Sequence, residues 1–128
     1  AALVGELLAV RKHAGMIVPA PVQDAMRAAL ADEAHVAAQK ALYRARREAL
    51  IPALEGFGLR IEDSVAGLYL WCTADEDCWI TMGRLAELGI IAGPGAFYGD
   101  AGVNFVRIAL TASDERIASA VQRLNAAR

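Results

Sequence analysis

Between Gly89 and Ala112 the chain reads GIIAGPGAFYGDAGVNFVRIALTA, and this stretch restricts the folds open to it more than any other. Gly89 to Ala92 is an apolar run that reads as a short strand, closed by the strong break Gly93-Pro94-Gly95. Gly99, Asp100, Ala101 and Gly102 form a second turn-prone cluster, with Phe97 and Tyr98 between the two. Asn104 to Leu110 is rich in the residues that strands favour. Alternation puts Val106, Ile108 and Leu110 on one purely aliphatic face, and Phe105, Arg107 and Ala109 on the other. Arg107 is the residue out of keeping. A guanidinium in such a strand needs a partner, because burying a charge unpaired is very costly. Its planar fork suits a carboxylate held by two parallel hydrogen bonds. The plainer alternative is a strand arginine paired to a surface acid.

The rest of the chain supplies elements to pack on that strand. Ala2 to Arg11 is helix-forming, and Pro19 and Pro21 forbid a continuous helix through the following segment. Pro21 can open the next helix, whose apolar face carries Val22, Ala25, Met26, Ala29 and Leu30. For Met16 and Val18, an apolar loop packed in a core is at least as good a reading as a role near a functional site. Val36 to about Leu54 reads as a long helix, with Pro52 expected to disturb it near residue 51 and Gly56 and Gly58 to stop it. One stripe of it carries Val36, Lys40, Tyr43, Arg47 and Leu50, another Leu42, Ala45, Ala49 and Ala53. Arg44, Arg46 and Arg47 resemble a nucleic-acid patch only out of context. Glu48 follows Arg44 at four residues, as on a solvated helix face.

Leu59 to Glu62 alternates like an edge strand, and Val65 to Cys72 reads as a second strand with Leu68, Leu70 and Cys72 on one face. Gly67, Tyr69 and Trp71 share the other. Asp75, Glu76 and Asp77 place negative charge at a helix start and lack any calcium-loop spacing. That helix would carry Trp79, Met82, Leu85 and Ala86 on one side. Ser113 is a plausible N-cap for a last helix with Ile117, Val121 and Leu124 as its core stripe. Matching periods then predict that Leu68, Leu70, Val106, Ile108 and Leu110 form one buried sheet face against that helix.

Composition narrows the function classes. The chain has 128 residues, 56% of them hydrophobic and 22% charged, enough for a packed core and unlike a disordered chain. A net charge of −2 argues against nucleic acid as the main partner. No apolar run reaches the roughly 18 residues of a membrane helix. The start, Ala1 to Gly5, lacks the order of a signal peptide and reads like the middle of a protein. Cys72 and Cys78 give no metal motif, and buried free thiols in a reducing cytoplasm are expected of them. His13 and His35 stand alone, and no Ser-His-Asp or Cys-His set or phosphate-binding glycine loop can be assembled.

Three ordered motifs carry a resemblance: Gly67-Leu-Tyr-Leu-Trp71, the run from Gly89 to Gly99, and Phe105-Val-Arg-Ile-Ala-Leu110. Together they resemble the C-terminal part of the class I/II pyridoxal-phosphate aminotransferases, the aspartate aminotransferase superfamily of fold type I. The finer wording, including Val10 to Pro21, looks most like the succinyldiaminopimelate aminotransferases of lysine biosynthesis. The resemblance covers essentially the whole chain. It implies that Arg107 binds the α-carboxylate of an amino-acid substrate, and that the loop Pro94 to Gly102 helps close the site. It also implies pyridoxal 5′-phosphate as cofactor, a 2-oxo acid as second substrate, and a cytoplasmic homodimer. Tyr69 and Trp71 could stack on a cofactor, but in the family the cofactor lies on the large domain, which favours a core or interface role. The family's Schiff-base lysine stands in a Ser-x-x-Lys context. Neither Lys12 nor Lys40 has it, so residue 1 would fall after the catalytic lysine and the chain alone would be inactive.

The expected fold class is α+β, a small domain with helices packed on one face of a short sheet, preceded by a long interdomain helix. Residues 1–34 would be the helical end of the large cofactor-binding domain and residues 35–128 the small domain with the bridging helix. The alternatives are a non-catalytic amino-acid-binding or regulatory α+β domain, or a purely structural one.

Overall fold

A computed structural model describes residues 2–127. They form helices α1 (Ala2–His13), α2 (Ala20–Leu30) and α3 (Glu33–Gly56), strands β1 (Arg60–Glu62) and β2 (Tyr69–Thr73), helix α4 (Cys78–Glu87), strands β3 (Gly93–Pro94) and β4 (Phe105–Ala109), and helix α5 (Asp114–Ala126). Two short 3-10 turns, Gly95–Tyr98 and Asp100–Gly102, join β3 to β4. This is the α+β order read from the sequence. The reading of Ala1 lies outside the described residues.

The chain divides into two compact units, up to Ala38 and from Gln39 onward. In the first, α2 opens on Pro19 as N-cap with Pro21 in its first turn, where a missing N–H costs nothing. Arg11 Nη2 donates to the Met16 carbonyl (3.0 Å) and Gln23 Nε2 to that of Val18 (2.7 Å), tying both ends of the intervening loop. Asp32 caps α3, accepting from the N–H groups of Ala34 and His35, both at 3.1 Å. None of the described side chains in this unit is buried. Met16 is 50% exposed. Leu3, Val4, Leu7, Leu8 and Val10 also face outward.

The second unit holds the core. Its antiparallel sheet has the order β1-β2-β4-β3, with Trp71 and Gly93 both facing Arg107 across the ladders. Leu70, Cys72, Val106 and Ile108 form one buried face, and Leu110 continues it. Leu50, Ala53 and Leu54 of α3, Leu85 of α4 and Ile117 and Leu124 of α5 complete the same cluster. The expected β4 register is therefore correct, with Val106 fully buried and Ile108 6% exposed. Burial also pushes the Cys72 thiol up to about 12, which keeps it protonated and unreactive.

Four expectations need correction. Leu68 is exposed: Gly67 has φ 85° and the paired ladder starts only at Tyr69, so alternation no longer dictates where Leu68 points. Gly89 to Ala92 is not a strand. Gly89 (φ 65°) closes α4, its N–H reaching the Ala86 carbonyl and that of Ile90 the Leu85 carbonyl. The helix end thus takes the Ile90 donor before the sheet can, and β3 is left with two residues. Helix α4 buries Cys78, Thr81 and Leu85 with Met82 half-buried, whereas Trp79 points outward and meets the Phe97 ring edge to face at 5.9 Å; the buried stripe starts one residue earlier than the hydrophobic pattern suggested. Helix α3 runs through Pro52 to Gly56, and its buried stripe is Leu50, Ala53 and Leu54, flanked by half-buried Tyr43, Arg46 and Arg47. Leu42, Ala45 and Ala49 are exposed. The stop comes at Gly58 (φ 95°), after which Leu59 donates back to the Leu54 carbonyl.

Arg46 and Arg47 of the arginine run are structural, Arg47 Nη2 donating to the Gly67 carbonyl (2.7 Å). Arg46 donates to Asp114 Oδ1 (2.6 Å) and to the Leu110 carbonyl (2.9 Å), joining α3 to α5 and the end of β4. Its side chain is only 13% exposed while that of Asp114 is 63% exposed. The partly buried carbonyl bond should therefore outweigh the ion pair. Arg46→Met is expected to cost about 1–2 kcal/mol and Asp114→Asn about 0.5 kcal/mol or less in urea unfolding. Equal losses would show that the ion pair carries the contact.

Candidate functional site

The face of the sheet opposite the core carries Tyr69 and Trp71 from β2 and Phe105 and Arg107 from β4. These are the side chains that alternation leaves on the far side of Leu70, Cys72, Val106 and Ile108. Tyr98 reaches the same face from the first 3-10 turn. Trp71 stacks on Phe105 (centroids 5.3 Å apart, planes 11° apart) and meets the Tyr98 ring edge to face at 5.6 Å. Arg107 lies over the Tyr69 ring, 4.2 Å from its centroid, and 5.6 Å from that of Tyr98. Gly93 faces Arg107 across the ladder and lies against its side chain: a Cβ there would be in ordinary contact, 3.5 Å from Arg107 Nε.

Arg107 is half-buried, and its Nε is enclosed without a hydrogen-bond partner. Among the described residues no carboxylate pairs with it, which removes the surface-acid alternative for them. The neighbouring cation at the sheet edge is different: Arg60 is engaged by Glu62 and by Asp75 (2.8 Å). The acids that head α4 are likewise engaged. Glu76 accepts from Thr81 and Arg84, both at 2.8 Å, and the Thr81 hydroxyl together with the Arg84 guanidinium holds its carboxyl below the usual carboxylate range. Asp77 caps the helix. So the open sheet face presents a guanidinium without an acid partner, framed by rings, and suited to an anionic, flat group.

The loop between β3 and β4 builds the rim. Gly95 and Gly102 touch backbone to backbone: a Cβ on Gly95 would stand 2.5 Å from the Phe105 carbonyl oxygen, and one on Gly102 would stand 2.8 Å from the Gly95 carbonyl carbon. Cys78 N–H donates to the Val103 carbonyl (2.8 Å), and Thr73 Oγ1 donates to the Asn104 carbonyl (2.6 Å). This backbone is a wall beside the open face, held at its Val103 and Asn104 end by β2 and the start of α4. The sequence alone located Arg107 but missed Tyr69 and Gly93 as its neighbours, because that needs the register across β2, β4 and β3.

Residues 7–124 match the family aminotransferase class I and II, and the chain belongs to that family. It is 60% identical over 123 residues to the 4-dedimethylamino-4-oxo-anhydrotetracycline transaminase of Streptomyces rimosus, a match covering 96% of this chain and 34% of the relative. It is 57% identical over 122 residues to a probable aminotransferase of Mycobacterium tuberculosis, covering 95% of this chain and 29% of that protein. Among solved structures, the N-succinyldiaminopimelate aminotransferase of Mycobacterium tuberculosis superposes with a TM-score of 0.76 at 26% identity, covering 99% of this chain and 35% of that one. The chain thus spans about a third of the length of the relatives it matches.

Proposed function

We propose that this chain is the C-terminal part of an aminotransferase that moves an amino group between an amino acid and a 2-oxo acid. In this reading residues 35–128 are the small domain and its bridging helix, and residues 1–34 are the end of the large domain. The outward apolar side chains of α1 support that assignment, since they form surface that a large domain would cover. The observation that carries the function is Arg107, a half-buried guanidinium without an acid partner among the described residues, set on the open sheet face of a chain from this family. Its task is to hold the α-carboxylate by charge-assisted hydrogen bonds and so fix the amino group relative to the reacting centre. The relatives are named for different compounds, 4-dedimethylamino-4-oxo-anhydrotetracycline and N-succinyldiaminopimelate, and amino transfer is what those names share. The family resemblance supports succinyldiaminopimelate or glutamate as the amino compound, and a cytoplasmic homodimer.

Pyridoxal 5′-phosphate would supply the electron sink in the parent enzyme. The residues of this chain do not by themselves fit it. Lys12 and Lys40 stand exposed on α1 and α3. The chain's own contribution is therefore to the substrate.

The test pairs the full-length protein with the 128-residue chain. The full-length protein should absorb in the visible when loaded with pyridoxal phosphate and should transaminate. Its covalent attachment should map to a lysine preceding this sequence, in a Ser-x-x-Lys motif. Borohydride treatment of the short chain with the cofactor should give no stoichiometric adduct. A single adduct at Lys12 or Lys40, found by peptide mass mapping, would overturn the reading.

A further inference from the structure

Among the described residues Arg107 has no acid to hold it, yet its guanidinium is constrained. The Tyr69 ring lies on it at 4.2 Å, the Gly93 backbone runs beside its Nε, and Nε itself is enclosed. The ladder explains which ring does this. Trp71 is the direct partner of Arg107, but its indole is stacked on Phe105. Tyr69 pairs with Ala109, two residues along, and the small alanine lets the tyrosine ring reach the guanidinium on the diagonal.

We propose that Tyr69 is the positioning residue for Arg107, its ring fixing the plane of the guanidinium so that the outer N–H groups stay free to meet a carboxylate. This rests on the reading of Arg107 as the carboxylate-binding residue. The chemistry favours a ring for this task. A guanidinium has five N–H donors, and an acid that oriented it would occupy the donors the substrate needs. A π-face attracts the cation and takes none of them. The fork is then oriented before substrate arrives, which lowers the ordering cost of binding. Tyr98, at 5.6 Å, is a more distant second ring.

The experiment has two arms. In the 128-residue chain, NMR should find the Arg107 δ-methylene and Nε–H signals shifted upfield by the Tyr69 ring. The shift should persist in Tyr69→Phe and vanish in Tyr69→Leu, with circular dichroism confirming that both variants are folded. In the full-length enzyme, Tyr69→Leu should raise KM for the amino donor about 10-fold with kcat within about 3-fold of wild type, and Tyr69→Phe should restore both. The visible spectrum of the bound cofactor should not change. Arg107→Lys is measured beside them. If Arg107→Lys impairs the enzyme and Tyr69→Leu does not, Tyr69 does not position Arg107 and the proposal alone fails. If Tyr69→Phe is as impaired as Tyr69→Leu, the hydroxyl matters rather than the ring, and the proposal is again overturned. If Arg107→Lys changes nothing, the carboxylate reading fails and this proposal falls with it.

Discussion

Replacing Gly102 by alanine is expected to cost about 3 kcal/mol, the upper end for overpacking, and to lower the melting temperature of the 128-residue chain by roughly 10 °C. The added methyl would meet the carbonyl group of Gly95, and Gly95→Ala would meet the carbonyls of Gly102 and Phe105. Backbone meets backbone in each case, so no side-chain rotation relieves the clash. Either change must push the loop off β4, and with it β3, whose register sets Gly93 beside Arg107. Gly83 provides the control. It lies inside α4 with nothing within 4 Å of an added Cβ, so Gly83→Ala should stabilise by about 0.5–1 kcal/mol. Thermal unfolding followed by circular dichroism reads all three variants. A Gly102→Ala protein melting with the wild type would show that the two glycines are not in fixed contact, and the wall they build would not stand.

That contact also marks the limit of what the sequence could reveal. Gly95 and Gly102 were legible as turn residues, but nothing in one dimension says that they face each other. The alternation in β4 was enough to separate Val106 and Ile108 from Arg107, because one face was purely aliphatic and burial enforces it. It failed at Leu68, where a positive-φ glycine precedes the paired ladder and lets the side chain leave the face. It failed again at Ile90 and Ile91, an apolar run whose first donor is taken by the end of α4. On α4 the hydrophobic pattern favoured the Trp79 face, but the buried stripe runs one residue earlier, through Cys78, Thr81 and Leu85, and Trp79 packs outward on Phe97. The site followed the same rule. Arg107 stood out as a charge in a strand, whereas Tyr69 became its neighbour only through the pairing of three strands that are distant in sequence.

The role of Arg107 carries the largest functional consequence. A charge-assisted bond to a carboxylate is worth about 1.5–3 kcal/mol, and a bidentate fork adds geometry that an ammonium cannot reproduce. Lysine at 107 would keep the charge but would lose the planar group that lies on Tyr69 beside Gly93. The substrate's carboxylate would then meet one mobile point charge instead of a fixed fork. The position is half-buried on the open face, so the variant should fold. The decisive measurement is kcat/KM for the amino donor in the full-length enzyme, wild type against Arg107→Lys, with folding and cofactor absorbance checked in both. A fall of about 10- to 100-fold at unchanged cofactor occupancy is the predicted result. An unchanged kcat/KM in a folded, cofactor-loaded variant would contradict it and leave Arg107 an ordinary strand arginine.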